Sequence, residues 1–239
     1  MSNQNQSWGI LPTQQDEDNT RAHAVSDPAG YHAGIAGREL HWFDGNTQSW
    51  ISQTDTGEWA GWHDRDASSA HADASWQPWS HPLDDSLAPY YRWFVDGQTN
   101  ACFNLIDRHV LSGRGDQIAI VFEGDRWDPS KNDGRGGPVH EQRVTYRELL
   151  VEVALRTRVL KQADLSCGDR VALNLPNVLE QIFYILACQR LGVIYTPVFG
   201  GFSAKTLSDR IHDAGAKVVI TADGGYRNAE VVPYKSTYT

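Results

Sequence analysis

RVTYRELL (143–150), GDRVALNLPN (168–177), LGVIYTPVFGGFS (191–203) and AKVVITADGGYR (216–227) are the segments whose reading decides the fold. Short apolar runs alternate here with longer segments of helical period, the pattern of βα units on a parallel sheet. Thr145 and Glu148 have the T-x-x-E spacing of a capping box, and the helix they open is expected to bury Leu149, Val153 and Leu160. Gly168-Asp169 turns the chain into a buried strand, Arg170 to Leu175, which Pro176 ends. Asn177 with Glu180 predicts a second capping box, on a helix burying Leu179, Ile182, Phe183, Leu186 and Leu191. Gly192 stands where a left-handed residue closes a helix. Val193 to Val198 is a strand, Ser203 caps a third helix ending near Ala214-Gly215, and Lys217 to Thr221 is another strand. The fold class is therefore α/β, with partial parallel-sheet βα layers behind an N-terminal helical and irregular extension. Ligands of open α/β sheets sit beyond the carboxyl ends of the strands. Pro176-Asn177, Phe199 to Ser203 and Ala222 to Arg227 are thus the loops expected to share one rim.

On the N-terminal side of this region, Asp96-Gly97 predicts a turn, and Asn100 caps a helix carrying Phe103, Leu105, Ile106 and Val110. Asp107, Arg108 and His109 are adjacent, but neighbours on a helix lie about 100° apart, so the three cannot face one site. Capping and local ion pairing are expected of them instead. Gln117 to Glu123 alternates and is rich in β-formers, hence a strand. Asp128 to Glu141 is crowded with turn residues, and Gln142 to Thr145 resumes extended structure, which gives a hairpin with an enlarged tip. GRGG at 134–137 lacks the flanking strand and helix that aim N–H groups at a phosphate.

Met1 to Asp27 is rich in Gln, Asn, Ser and Asp and is read as a loose tail. Tyr31 to Phe43 has apolar residues at helical intervals, weakened by Gly34 and Gly37. Between Asn46 and Tyr91, Trp50, Trp59, Trp62, Trp76 and Trp79 sit among polar residues. They suit either a sugar-stacking surface or a long insertion anchored by buried aromatics. The second is favoured, because no short-strand alternation of a β-sandwich accompanies them. His32, His41, His63, His71 and His81 lack metal-ligand spacing.

The 239 residues carry a formal charge of −9, which disfavours a nucleic-acid binder or a polybasic membrane anchor. Three cysteines without CxxC spacing suit a reducing cytoplasm. No apolar run reaches spanning length, and residues 1–20 lack the features of a secretory signal.

Gly200-Gly201-Phe202-Ser203 ends a strand and opens a helix, a geometry that accepts an anion or serves only as a tight turn. Taken alone, these residues favour the turn. Arg227, after the next strand, is placed to meet a phosphate on the same rim or to stand free in solvent. The segment is neither GxGxxG nor GxxxxGK[ST], so a dinucleotide or P-loop site is not supported, and no glycine fingerprint of a nicotinamide dehydrogenase follows a strand. No nucleophile elbow, metal motif or catalytic pair is present.

Together, WFVDGQTNACFNLIDRH (93–109), VTYRELL (144–150), GDRVALNLPN, ILACQRLGVIYTPVFGGFSA (185–204) and KVVITADGGYR (217–227) resemble the N-terminal part of AMP-forming acetyl- and propionyl-CoA synthetases. These belong to the adenylate-forming acyl-CoA synthetase superfamily. The resemblance runs from about Tyr31 to Lys235, and AGRELHWF (36–43) is similar to the family's leading helix. It implies an enzyme that joins a short-chain carboxylic acid to CoA through an acyl-adenylate, using ATP and Mg²⁺. FGGF followed by ADGGxR implies the CoA side of the active site. Gly200 and Gly201 would lie by the nucleotide part of CoA, and Arg227 would pair with a CoA phosphate. A second family Arg, three positions on, is Glu230 here.

The family's ATP-phosphate loop, adenine and ribose motifs and catalytic Lys come later than Thr239. The resemblance thus implies a fragment, inactive by itself, or alternatively a non-catalytic CoA- or nucleotide-binding module. The insertion at 46–91, the loop at 128–141 and the TADGGYRNAE ending are also similar to propionyl-CoA synthase, a fused enzyme that acts on 3-hydroxypropionate and uses NADPH in a later part. The expected organisation is a tail (1–27), a synthetase-type N-terminal segment (28–140) and the start of the AMP-binding domain (141–239).

Overall fold

A computed structural model describes residues 13–46, 48–53, 59–61 and 77–235. They form two compact units, residues 1–99 and 100–239.

In the first unit, α1 (Gln14–Ser26) is capped by Thr13, whose side chain accepts the Asp16 N–H, and it buries no residue. This corrects the loose tail expected through Asp27. The composition denies the segment a core-facing stripe but does not deny it a helix, because a cap and the Glu17–Arg21 pair support one in solvent. Residues 1–12 lie outside the described residues. α2 (Pro28–Glu39) starts on Asp27, which accepts the Gly30 N–H at 2.9 Å. It ends four residues before Phe43. Trp42 and Phe43 instead enter β1 (Trp42–Asp44), which pairs antiparallel with β2 (Ser49–Gln53), itself paired with β3 (Trp59–Gly61). β4 (His81–Asp84) and β5 (Arg92–Val95) form a separate hairpin.

These strands are too short for alternation to reveal them, so a region read as irregular contains a small sheet. Trp42 is 3% exposed, donates from Nε1 to the Ala36 carbonyl at 3.0 Å, and meets the Trp79 ring edge-on at 4.9 Å. Trp59 meets Trp79 at 5.8 Å, and Trp50 meets Phe43 at 5.2 Å. Trp50, Trp59 and Trp79 thus pack on neighbouring rings as anchors. Trp62, Trp76, His63 and His71 lie outside the described residues.

The second unit begins on Asn100. Its Oδ1 accepts the Phe103 N–H at 3.1 Å, and its Nδ2 donates to the Gln189 and Arg190 carbonyls at 3.2 and 3.1 Å. One side chain therefore starts one helix and closes another. The helical run 101–114 is wound as π-helix at Phe103–Asp107 and Val110–Arg114. Asp107 and Arg190 form a two-bonded ion pair at 3.1 and 2.5 Å, mostly shielded from water. The pairing expected near Asp107 is thus made, but across 83 residues rather than locally. His109 is buried, and its ring lies 4.6 Å from that of Tyr146. Burial, helped by the Arg114 and Arg108 charges, lowers its pKa to about 4.

β6 (Ile118–Glu123) and β9 (Glu141–Thr145) pair antiparallel. The enlarged tip between them holds a two-residue ladder, β7 (Trp127–Asp128) with β8 (Gly137–Pro138), and a single turn, α3 (Lys131–Gly134). The β6–β9 pairing spans the boundary expected at residue 140, and the second unit starts at Asn100. The Thr145–Glu148 capping box is present and opens α4 (Tyr146–Gln162), which buries Leu149, Val153 and Leu160.

β10 (Arg170–Asn174) lies between β11 (Ile194–Pro197) and β12 (Val218–Thr221), parallel to both. α5 (Leu179–Leu191) leads from β10 to β11, and α6 (Ala204–Ala214) leads from β11 to β12. The first connection moves to one side of β10, and the second runs the opposite way, back across β10 to its other side. Right-handed crossovers therefore put α5 and α6 on opposite faces and make the end of β10 the switch point of the sheet. Val171 and Leu173 face the α4–α5 core with Phe183, Leu186 and Ala187, while Leu207 is the residue that α6 buries.

Two details of α5 differ from expectation. Val178, not Asn177, is its N-cap and, being hydrocarbon, offers no side-chain acceptor; the Val178 N–H turns back to the Pro176 carbonyl at 2.8 Å. Ile182 is 41% exposed, while Ala187 and Cys188 take the buried positions. Gly192 ends the helix with φ 71°, as expected.

Asp107→Ala strands the Arg190 guanidinium in a mostly dry site and is expected to lower the unfolding free energy by roughly 2–4 kcal/mol. Urea denaturation at neutral pH measures this. His109 stays neutral in the fold but takes up a proton in the unfolded chain below its usual value near pH 6.5. Stability contributed this way is complete above that pH and falls as the pH drops toward about 4. The expected loss is roughly 1–3 kcal/mol, read from urea midpoints, and His109→Gln should flatten the dependence.

Candidate functional site

The three loops at the carboxyl ends of β10, β11 and β12 come together. The Val198 N–H extends the β11 ladder to the Leu173 carbonyl at 2.8 Å, and the Phe202 N–H closes a turn on the Phe199 carbonyl at 3.1 Å. Ser203 then caps α6, its Oγ accepting the Thr206 N–H at 3.2 Å. Ala222 to Arg227, expected as a loop, is partly a strand. β13 (Gly224–Arg227) pairs antiparallel with β14 (Glu230–Pro233). Asn228 and Ala229 turn between them with φ 51° and 63°, both left-handed, the geometry of a tight hairpin. The Asn-Ala pair lacks the glycine that usually signals this turn, so the sequence hid it.

The hairpin is tied at both ends. Asp125 accepts the Ala229 N–H at 2.6 Å at its tip, and the Asp223 carbonyl accepts the Tyr234 N–H at 3.0 Å at its base. A Cβ on Gly225 would meet Pro176 at 2.6 Å, which brings the β10 loop against the hairpin.

Arg227 carries its guanidinium over the Phe199 ring, 5.2 Å from the centroid. A Cβ on Gly201 would meet Arg227 Nη1 at 2.5 Å, and one on Gly200 would clash with the buried Tyr234 ring. The structure thus brings Gly200, Gly201 and Arg227 to one place, where glycine at 200 and 201 permits the hairpin's approach.

Sequence reasoning missed several residues here. Phe199 and Phe202 are 57% and 39% exposed and meet edge-on at 5.8 Å. Arg210 of α6 lies over Phe202 at 5.0 Å. Exposed aromatics inside the FGGF loop were the available signal. Asn174, at the end of β10, is fully buried, and neither its Oδ1 nor its Nδ2 has a partner.

Tyr226 points the other way from Arg227. It lies under the Arg126 guanidinium at 5.5 Å and lines a cleft of about 540 Å³ bounded by β6, β9, α4 and the start of α5. That cleft contains none of Gly200, Gly201 or Arg227.

The rim can hold a phosphorylated ligand, because Arg227 supplies a charge-assisted donor beside an exposed ring. Among the described residues, no group of three His, Cys, Asp or Glu could hold a metal ion.

Residues 108–237 match the family model described as AMP-binding enzyme, and residues 68–105 match acetyl-coenzyme A synthetase N-terminus. The chain belongs to the AMP-binding enzyme family. Among its relatives, acetyl-coenzyme A synthetase of Methylobacillus flagellatus is 45% identical over 72% of this chain and 24% of its own length. The synthetases of Burkholderia lata and Rhodopirellula baltica are each 42% identical, over 67% and 68% of this chain and 22% of their own lengths. The chain thus spans about a quarter of the relatives it matches. In this member of the family, Gly200→Ala should force Tyr234 out of its packing and cost roughly 1–3 kcal/mol, measurable as a lowered urea midpoint with the Tyr234 environment changed by NMR.

Proposed function

We propose that this chain is the N-terminal part of an AMP-forming acid–thiol ligase and forms the CoA-binding edge of that enzyme. The observation that carries the reading is Arg227 lying over Phe199 against Gly201 at the carboxyl end of the sheet. A parallel sheet offers its ligand site at that end. The relatives that match this chain are acetyl-coenzyme A synthetases.

A carboxylate acylates poorly, because its leaving group would be oxide. The whole enzyme exchanges that group for AMP: carboxylate attacks ATP, pyrophosphate leaves, and the CoA thiol then displaces AMP to give the thioester. In this scheme ATP and Mg²⁺ are held by residues other than those of the rim described above. This chain's contribution is to hold the nucleotide end of CoA. Acetate, propionate and 3-hydroxypropionate all suit the scheme. NADPH would enter only in a fused synthase. A cytoplasmic setting suits the three free cysteines, two of them buried with thiol pKa values pushed up by burial to about 11 for Cys102 and about 12 for Cys188. Among the described residues, no helix is long and apolar enough to cross a membrane.

Glu230 modifies the rim. It is the cross-strand partner of Arg227, so the two side chains share one face of the hairpin. Its carboxylate competes with a ligand phosphate for that field.

Calorimetric titration of the chain with CoA tests the reading. Arg227→Ala is expected to weaken binding about tenfold, the effect of losing one charge-assisted contact of ~1.4 kcal/mol. Glu230→Gln should tighten it by roughly two- to fivefold. Acyl-dependent ATP–pyrophosphate exchange is expected to be absent. Failure of CoA to bind at millimolar concentration would end the CoA reading, and measurable exchange would end the assignment of the chemistry to residues elsewhere.

A further inference from the structure

α4 carries two apolar stripes. The inner one, Leu149, Val153 and Leu160, is buried. The outer one, Val151, Leu155 and Val159, is 54%, 49% and 45% exposed. A helix on the surface of a domain ordinarily turns polar residues outward. Single exposed apolar residues are common, but three at i, i+4 and i+8 form a continuous ridge about 12 Å long. A ridge is convex, so it does not suit a small molecule, whereas it fits the groove of another helix.

The ridge reads the same in both directions. Leu155 is its centre, with Val151 and Val159 about 6 Å along the axis on either side. Glu148 and Gln162, seven residues before and after Leu155, are both exposed and close the two ends. Each points within about 20° of the Leu155 direction, so the order polar, apolar, apolar, apolar, polar holds from either end.

We infer that this face of α4 is an interface between two copies of this chain, the two helices running antiparallel about a two-fold axis at Leu155. Leu155 then meets Leu155 of the second copy, and Val151 meets Val159 of the second copy on each side of it. The Glu148 carboxylate faces the Gln162 amide of the second copy, which can donate to it. The Glu152–Arg156 ion pair lies on one flank of the ridge. Reversing the helix sets Glu152 about 3 Å along the axis from Arg156 of the second copy but about 9 Å from its Glu152, so the charges of that flank complement one another. On the other flank the exposed Arg158 side chains of both copies come to the same side and repel weakly. Three apolar residues from each copy fall short of the roughly 800 Å² per partner of a standard interface, so the pairing is weak and depends on concentration. The inference does not depend on the CoA reading and uses no residue of the rim.

Sedimentation equilibrium of the full chain between roughly 10 µM and 1 mM tests it, since the unaltered protein is expected to pass from monomer to dimer in that range. Leu155→Glu sets two like charges on the axis and should weaken the dimer at least about tenfold, whereas Arg158→Gln should tighten it about two- to fivefold. Both positions are exposed, so urea midpoints should stay near that of the unaltered chain and confirm that the variants are folded. Cross-linking by oxidised glutathione reads the register, in a Cys167→Ser background because Cys167 is the exposed cysteine. Leu155→Cys is expected to link two copies, while Val151→Cys, held about 12 Å along the axis from its counterpart, should not. CoA titration of Leu155→Glu should match that of the unaltered chain, so this inference and the CoA reading fail separately. A monomer at about 1 mM, or a Leu155→Glu dimer within twofold of the unaltered one, would overturn the interface. Equal linking through Val151→Cys and Leu155→Cys would overturn the antiparallel two-fold.

Discussion

The second unit depends on β10 being covered on both faces. Val171 and Leu173 are fully buried toward α4 and α5, and Ala172 and Asn174 are fully buried on the opposite side. A strand buried on both faces needs helices above and below, and parallel neighbours are what helical crossovers produce. β11 and β12 therefore run in the same direction as β10, on either side of it. Each fully buried Val or Leu contributes roughly 1.5–3 kcal/mol, so the strand is held chiefly by its side chains. Once it is fixed, the three following loops must emerge at one edge, and the meeting of Arg227, Phe199 and Gly201 follows from that constraint.

What the edge does then depends on the hairpin. A loop after β12 would leave Arg227 free to sample many positions, with side-chain entropy opposing any fixed contact. The β13–β14 pairing and its ties to Asp125 and Asp223 remove that freedom before a ligand arrives. The same pairing sends Tyr226 to the opposite face, toward Arg126, so a single strand separates the rim from the neighbouring cleft. Preorganisation of this kind suits a surface that must orient a carrier by its far end, where binding energy comes from a few charged and stacked groups.

Much of this was legible because the second unit is locally consistent. The capping box at Thr145, the left-handed Gly192 and the Ser203 cap all stand where the periodicity calls for them. The residues chosen for the site, Gly200, Gly201 and Arg227, also meet. What was not legible involved contacts between distant segments. Asp107 finds Arg190, and Arg210 finds Phe202, through packing that no local pattern encodes. The strands of the first unit have three to five residues, too few for a period of two to stand out. α1 shows the opposite limit, since a helix without a buried face leaves no apolar stripe to read.

Three departures from local rule lie at or beside the rim. Asn174 buries an amide without a partner where its strand neighbours are apolar, at a cost on the order of 1–3 kcal/mol. Ala229 holds a left-handed backbone that a side chain disfavours by roughly 1–2 kcal/mol. Phe199 leaves more than half of its surface in water. None of these helps the unit fold, and each lies at or beside the carboxyl end of the sheet. Costs of this sort persist where the surroundings overdetermine them, and they collect where a surface must meet something other than itself.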